Sequence, residues 1–307
     1  MPSETKTPDV YPDGNHAEAQ EATEKALIAE IRALGKAYAL FSPLTNLSYV
    51  ECEEENYNDQ IQLYAAKEEA EKAAEELEEK GIRVTVREFQ TVEVSVPAGA
   101  EHPAKEKKMY LNQVRQYLGT LPFIGVNAIL YKPKEREAAS VCLSSVLPED
   151  FEKKVMGNGL YQPNLQLTGL YLMQEARRKK EYVDKKQLQE MDEEFSSNLV
   201  RSGLFLAVLP PKGHEKDDKI DLRQCQLPYL THQNGDRFLP VFTDIWEYQK
   251  YTQGKEQVRP IQVPFAKLMG FWVKDAKAYM MNPMGYSLPI TREMIPRILE
   301  RFAVEEK

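Results

Sequence analysis

The run Phe238-Leu239-Pro240-Val241-Phe242-Thr243-Asp244-Ile245-Trp246-Glu247-Tyr248 leaves its segment few ways to fold. Apolar residues fill positions 238–242, as in a strand covered on both faces. Asp244 and Glu247 then put negative charge where the positive end of a helix dipole would lie. Thr243 stands at the expected N-cap, where its hydroxyl can accept from an N–H left free in the first turn. A strand feeding directly into a helix is an α/β unit, and the rest of the second half can be arranged around this corner.

The chain has 307 residues, enough for two ordinary domains or one large one. A hydrophobic fraction of 42% supports a packed core. The net charge of -8 discourages nonspecific binding to nucleic acid or anionic membranes, so neither is expected as a partner. Cys52, Cys142 and Cys225 are far apart and form no CxxC pair. They fit a reducing compartment and give neither a disulfide framework nor a zinc site. Residues 1–20 are polar and read as a disordered tail, without the cationic start and apolar segment of a signal peptide. No run approaches the ~18 apolar residues needed to cross a bilayer. A cytoplasmic protein is expected, and Asn46-Leu47-Ser48 matches a glycosylation sequon by chance.

In the first half, Leu27, Ile31 and Leu34 form one stripe of a helix over residues 21–34, with Gly35 expected in the left-handed position that ends it. Strands are expected at 38–41 and 60–65. Ala66, Ala70, Ala73, Ala74 and Leu77 mark a helix closed by Gly81, and Ile82, Val84 and Val86 alternate on a third strand. Residues 91–108 read as an irregular loop or hairpin, 109–118 as a helix and 126–131 as a strand. In the second half Asn164 is expected to cap a helix. Leu188, Met191, Phe195 and Leu199 mark the next, and 204–209 is a continuous apolar strand. Asn234-Gly235 signals a hairpin between arms at 226–233 and 237–242. Pro260 places the strand at 258–263 on a sheet edge. A helical turn at 264–269 and a strand at 276–281 follow. Then come a turn at Asn282-Pro283-Met284-Gly285 and a last helix capped by Thr291.

The two halves share this order of events. The expected fold is therefore α/β with some α+β character: two similar mixed-sheet domains from an internal duplication, at 21–135 and 164–303, with a linker at 136–163. The alternative is that two α/β halves of this size look alike without duplication.

Leu239-Pro240-Val241-Phe242-Thr243 with its acidic, aromatic helix start resembles the signature of SseB-type proteins, named for enhanced serine sensitivity. So does Ala276-Lys277-Ala278-Tyr279-Met280-Met281-Asn282-Pro283 with a glycine two residues on. The resemblance covers about residues 165–302. The first half looks like a diverged copy, with Gln62-Leu63-Tyr64-Ala65 in place of the first motif. The resemblance implies an α/β module in a bacterial cytoplasm and brings no catalytic residue with it.

The residues themselves offer little chemistry. A sulfurtransferase needs a thiolate in a positive, exposed loop. Cys52 instead precedes three glutamates, Cys142 has no cation near it, and Cys225 has only Arg223. Among His16, His102, His214 and His232 there is no metal-ligand spacing. His214 with Glu215, Asp217 and Asp218 reads as a solvated loop. No phosphate-binding glycine loop occurs, and Arg177-Arg178-Lys179-Lys180 lacks the interleaved aromatics of a nucleic-acid surface. Two features can serve a ligand: the corner Thr243, Asp244 and Trp246, and the turn at Asn282. If both strand ends lie on one sheet edge, they border one cleft. Thr243, Asp244, Trp246 and Asn282 are therefore the candidate ligand-binding residues. No catalytic residue, metal or cofactor is expected. The leading expectation is a noncatalytic interaction or regulatory module whose partner is an unknown protein or a small metabolite. The alternatives are a binder of an amino acid or other anion at the Thr243 corner, and an enzyme such as a sulfurtransferase.

Overall fold

The computed structural model describes residues 14–97, 106–157, 159–214, 221–254 and 257–302. The first half runs α1 (Gly14–Ala33), β1 (Lys36–Ser42), β2 (Leu47–Ser48), β3 (Glu51–Glu53), β4 (Asn58–Tyr64) and α2 (Lys67–Glu79). It continues with β5 (Thr85–Pro97), β6 (Glu106–Asn112), α3 (Gln113–Leu118), a 3-10 turn (Leu121–Ile124), β7 (Ala128–Lys132), β8 (Ala139–Cys142) and α4 (Leu143–Val146). Helix α5 (Phe151–Met156) leads to α6 (Pro163–Ala176) and, after a 3-10 turn (Lys180–Tyr182), to α7 (Lys185–Val200). Then follow β9 (Gly203–Val208), β10 (Leu230–Thr231), β11 (Arg237–Phe242), α8 (Ile245–Thr252) and β12 (Arg259–Pro264). A 3-10 segment (Phe265–Phe271), β13 (Ala276–Met281), β14 (Leu288–Thr291) and α9 (Met294–Phe302) complete the chain.

Among the described residues the strands form two mixed sheets, ordered β6-β5-β1-β4-β7-β8 and β12-β9-β11-β13-β14. The shared part is the same path twice. In both sheets the first strand pairs antiparallel with its two neighbours, β5 and β4 in one and β12 and β11 in the other. In both, the strand before the crossover helix pairs parallel with a later strand that follows the opposite edge of the sheet: β4 with β7 and β11 with β13. An antiparallel edge strand, β8 or β14, closes each. The fold is α/β with two similar mixed-sheet halves.

Several expectations change. Residues 14–20, expected in the tail, belong to α1, where Ala17, Glu18, Ala19 and Gln20 are good helix formers; residues 1–13 lie outside the described part. Gly35 is not left-handed, because the chain runs straight from α1 into β1. Residues 138–146, expected within the linker, supply the edge strand β8 and helix α4 of the first half. Residues 109–112, expected to open the helix, are strand instead: residues 106–112 pair along β5 from Thr91↔Asn112 to Pro97↔Glu106, and only then does Asn112 cap α3 by accepting from Arg115 N at 3.1 Å. Asn164 does not cap α6, which starts with Pro163 at its first position after Gln162. Thr291 ends β14 rather than capping α9.

One cluster of buried apolar residues draws on both halves, from Ile31 to Ile295. Helix α6 runs through it. Six consecutive residues, Leu165 to Leu170, are buried, so this helix is covered all round. Towards the first half, Gln174 both accepts from Val50 N at 3.2 Å and donates to Val50 O at 2.9 Å. Tyr171 donates to Asp59 Oδ1 at 2.7 Å. Gly125, at φ 84°, lets the first half approach: a Cβ there would stand 2.7 Å from Leu167 Cβ and 2.8 Å from Pro163 O. Towards the second half the close approach is at Gly169, where a Cβ would stand 2.7 Å from the Tyr286 hydroxyl oxygen and 2.9 Å from its Cζ.

Gly169→Ala therefore overpacks a site whose neighbour Tyr286 is fully buried, and is expected to cost about 1–3 kcal/mol in denaturant unfolding. Gly270→Ala, with nothing within 4 Å of the added carbon, is the control and stays within about 0.5 kcal/mol. Equal effects from the two would show that α6 is not held at close approach.

Candidate functional site

Strands β11 and β13 run parallel and end side by side, with Val241 opposite Met281. Thr243 and Asn282 follow those ends, so the sheet brings the two sequence motifs together. Asn282 takes φ 49°, a left-handed conformation that asparagine tolerates better than most residues. That turn aims its amide at the neighbouring strand end. Asn282 Oδ1 accepts from Thr243 N at 3.0 Å, and Asn282 Nδ2 donates to Thr243 Oγ1 at 3.0 Å and to Gln166 Oε1 at 2.7 Å.

The N-cap of α8 is Asp244, not Thr243. Asp244 is extended (φ -154°, ψ 175°) and its Oδ1 accepts from Glu247 N at 3.0 Å. Thr243 still belongs to the strand end, and its hydroxyl donates sideways to Asp244 Oδ2 at 2.9 Å. Asp244-x-x-Glu247 has the spacing of a capping box, but Glu247 does not reach back to the cap. It turns inward, accepting from Gln166 Nε2 at 2.6 Å and pairing with Lys250. Its other oxygen, Oε2, is buried without a hydrogen-bond partner and lies against Gly285.

Thr243, Asp244, Glu247, Asn282 and Gln166 are all fully buried. The cluster is a clasp between α6 and the ends of β11 and β13. Burial pushes the Asp244 carboxyl above its ordinary range, against the pull of the Glu247 N–H and the Thr243 hydroxyl. Burial likewise pushes Glu247 up, with Lys250 opposing and Asp244 adding to it. An anion placed here would meet two carboxyl groups.

Trp246 sits apart. It is half-buried, its ring 5.5 Å from Phe123 of the first half, which stacks on Tyr161 at 4.7 Å; Lys250 Nζ lies 3.8 Å from the Trp246 ring centre. The structure thus joins three of the four candidate residues and sends the fourth to an aromatic contact between halves. Sequence reasoning missed Gln166. The available signal was a glutamine in the apolar run Leu165-Gln166-Leu167 of a helix.

The other candidates stay scattered. Cys52 and Cys142 are exposed and Cys225 is partly buried. The Cys52 thiol is pushed up by burial and by Asp59, Glu53, Glu54 and Glu194; Cys225 is pushed up by burial and by Asp221. His232 contacts Asn234 inside the hairpin turn, and the acidic residues after His214 lie outside the described residues. Among the described residues no group of three or more His, Cys, Asp or Glu is placed to hold a metal ion, and no helix is long and apolar enough to cross a membrane.

The fold and clasp define a mixed-sheet α/β protein whose second half is built on a strand–helix corner tied to an asparagine turn. Within that second half, residues 181–297 match the family model described as "SseB protein N-terminal domain". The match begins beyond α6, so Gln166 reaches the clasp from outside it. Comparison with curated protein sequences yields no match. Two solved structures align over much of the chain. Tic22 from Plasmodium falciparum covers 91% of this chain and 99% of its own at 10% identity, with a TM-score of 0.18. Anabaena Tic22, titled as protein transport, covers 80% of this chain and 85% of its own at 10% identity, also with a TM-score of 0.18. At that score neither fixes the arrangement of these elements.

Two outcomes are expected from the clasp. Thr243→Val leaves Asp244 Oδ2 without that donor and Asn282 Nδ2 without that acceptor, at a cost of about 1–3 kcal/mol in unfolding free energy. The second concerns pH. A folded state that raises a carboxyl pKa binds its proton more tightly than the unfolded chain. Stability therefore falls as pH rises from the ordinary carboxylate range through the raised value. Glu247→Gln removes that slope, so its stability relative to wild type rises from about pH 5 to about pH 8. A difference that does not change with pH would mean that Glu247 ionises as it does in water.

Proposed function

We propose that this chain is a noncatalytic cytoplasmic interaction module that adds an extended segment of a partner protein to the free edge of β6. The observation that supports this reading is the β5–β6 ribbon. Strand β1 accompanies β5 only over Thr85 to Gln90. Beyond that, among the described residues, β5 pairs with β6 alone and β6 ends the sheet. A two-stranded ribbon is marginal in water by itself. Val92 pairs with Leu111 and Val94 with Met109, which puts an apolar face on the ribbon; Met109 is 48% exposed, and Tyr110 on the other face is 73% exposed. An edge strand presents unpaired N–H and C=O groups, and a partner strand satisfies them by continuing the sheet.

The partner's chemistry follows from that edge. The strand sequence Glu106-Lys107-Lys108-Met109-Tyr110-Leu111-Asn112 is basic in a chain of net charge -8, so the added segment alternates acidic and apolar residues. The cytoplasmic placement rests on sparse, unpaired cysteines. The net charge argues against nucleic acid and anionic membrane as partners.

A photo-crosslinker at position 110 is expected to trap one polypeptide in cells, while the same group at Glu71 on α2 does not. With both proteins purified, binding slows amide exchange over residues 106–112, and Val94→Lys weakens it by about tenfold or more. A trapped protein that binds the Val94→Lys variant as it binds wild type would remove the ribbon from the interface.

A further inference from the structure

A cavity of about 650 Å³ opens where the two halves meet. Its walls need both. The first half contributes Val50 and Asp59 around β3 and β4, and the second contributes Leu167 and Tyr171 of α6 and Met191 of α7. The Tyr171–Asp59 hydrogen bond crosses the joint within it. Most ligand pockets have this build: an apolar base, a few polar groups, and a position between packed units.

The charge of the lining selects the ligand. Five carboxylates, Glu51, Glu54, Asp59, Glu175 and Glu194, face one guanidinium, Arg178. Arg178 is committed already, Nη1 to Glu175 Oε2 at 2.8 Å and Nη2 to Lys80 O at 2.7 Å. Glu51 accepts from the amides of Gln60 at 3.2 Å and Gln62 at 2.9 Å. Glu54 and Glu194 are exposed at the mouth, one from each half. Glu54, Asp59 and Glu194 line the same cavity from both halves. Tyr49, Tyr57 and Tyr171 add aromatic surface, and Tyr57 is 79% exposed. Carboxylates beside tyrosine rings suit an organic ammonium group. An anion is opposed by the field, and a bare divalent ion finds no cluster of three ligands among the described residues.

We propose that the cleft between the halves binds an aliphatic diamine. Its hydrocarbon lies on Leu167, Met191 and Tyr171, and its two ammonium groups meet Glu54 and Asp59 of the first half and Glu194 of the second. Such a ligand bridges the halves at a place where neither half alone makes a site. The inference is independent of the β6 edge, because no lining residue comes from the ribbon.

The test is calorimetric titration of the full chain with 1,4-diaminobutane at about 150 mM salt, where long-range screening is already strong. Saturable one-to-one binding is expected, with none for 1,4-butanediol and no displacement by magnesium chloride. Glu54→Gln combined with Glu194→Gln weakens binding by about tenfold or more, and Glu71→Gln on α2 leaves it unchanged. Met191→Trp fills the cavity while keeping every carboxylate, and abolishes binding. A Tyr110→Lys variant, altered at the ribbon, binds the diamine as wild type does. No binding, displacement by magnesium, or full affinity in Met191→Trp would each overturn the proposal; the last two would reduce the diamine to a counterion of an acidic surface.

Discussion

The burial of α6 governs the rest of the molecule. A helix covered on every side must meet two partners, and here each half supplies one. Its apolar residues join a single core, while its polar ones are matched individually: Gln166 to Asn282 and Glu247, Tyr171 to Asp59, Gln174 to the Val50 backbone. Apolar contact alone would let the helix slide or rotate. An amide inside the protein costs free energy unless its partners are in place, so Gln166 admits few positions for α6 relative to β11 and β13. Gly125 and Gly169 serve the same end by permitting an approach that a side chain would block.

The repeated topology makes the differences between the halves informative. In the second half, the ends of the parallel strands are sealed by Thr243, Asn282 and Gln166. In the first half the corresponding corner has Ala65 and Lys132. Ala65 N donates to Lys132 O at 3.0 Å, and Lys132 Nζ donates to Gln62 Oε1 at 3.0 Å and lies 5.0 Å from the Tyr64 ring centre. Helix α2 starts at that corner with no side-chain cap, relying on Glu68 and Glu69 in its first turn and on alanine-rich composition. The same path is therefore held by a buried amide clasp in one half and by a half-buried lysine in the other. Helix α6 approaches the clasped corner.

Much of this was legible in the residues, for identifiable reasons. Pro260 announced an edge strand because it cannot donate to a ladder, and β12 ends its sheet. Asn234-Gly235 announced a turn, and Gly235 takes φ 86° there. Residues 276–281 were read with the bounds of β13. What failed was decided at a distance. Tyr110, Val114, Tyr117 and Leu118 have helical spacing, and residues 113–118 are helix, yet residues 109–112 are strand because β5 lies beside them. The Thr243 cap failed because its hydroxyl had nearer partners in Asp244 and Asn282, and the latter is brought in only by the parallel pairing. Burial of the corner was equally invisible: Asp244 and Glu247 carry charges that a sequence places in water, and only α6 takes them out of it.

That same helix has a second side with the opposite character. Where Gln166 meets the clasp, polar groups are matched and sealed. Where Leu167, Tyr171 and Glu175 face the first half, the polar groups are matched too, yet a cavity remains. The clasp lies within the second half and the cavity on the joint between halves, and they share α6. Filling the cavity stabilises the closed joint by mass action, because a ligand held by both halves binds only when they are together. The stability of the joint and the occupancy of such a cleft are then linked through one helix.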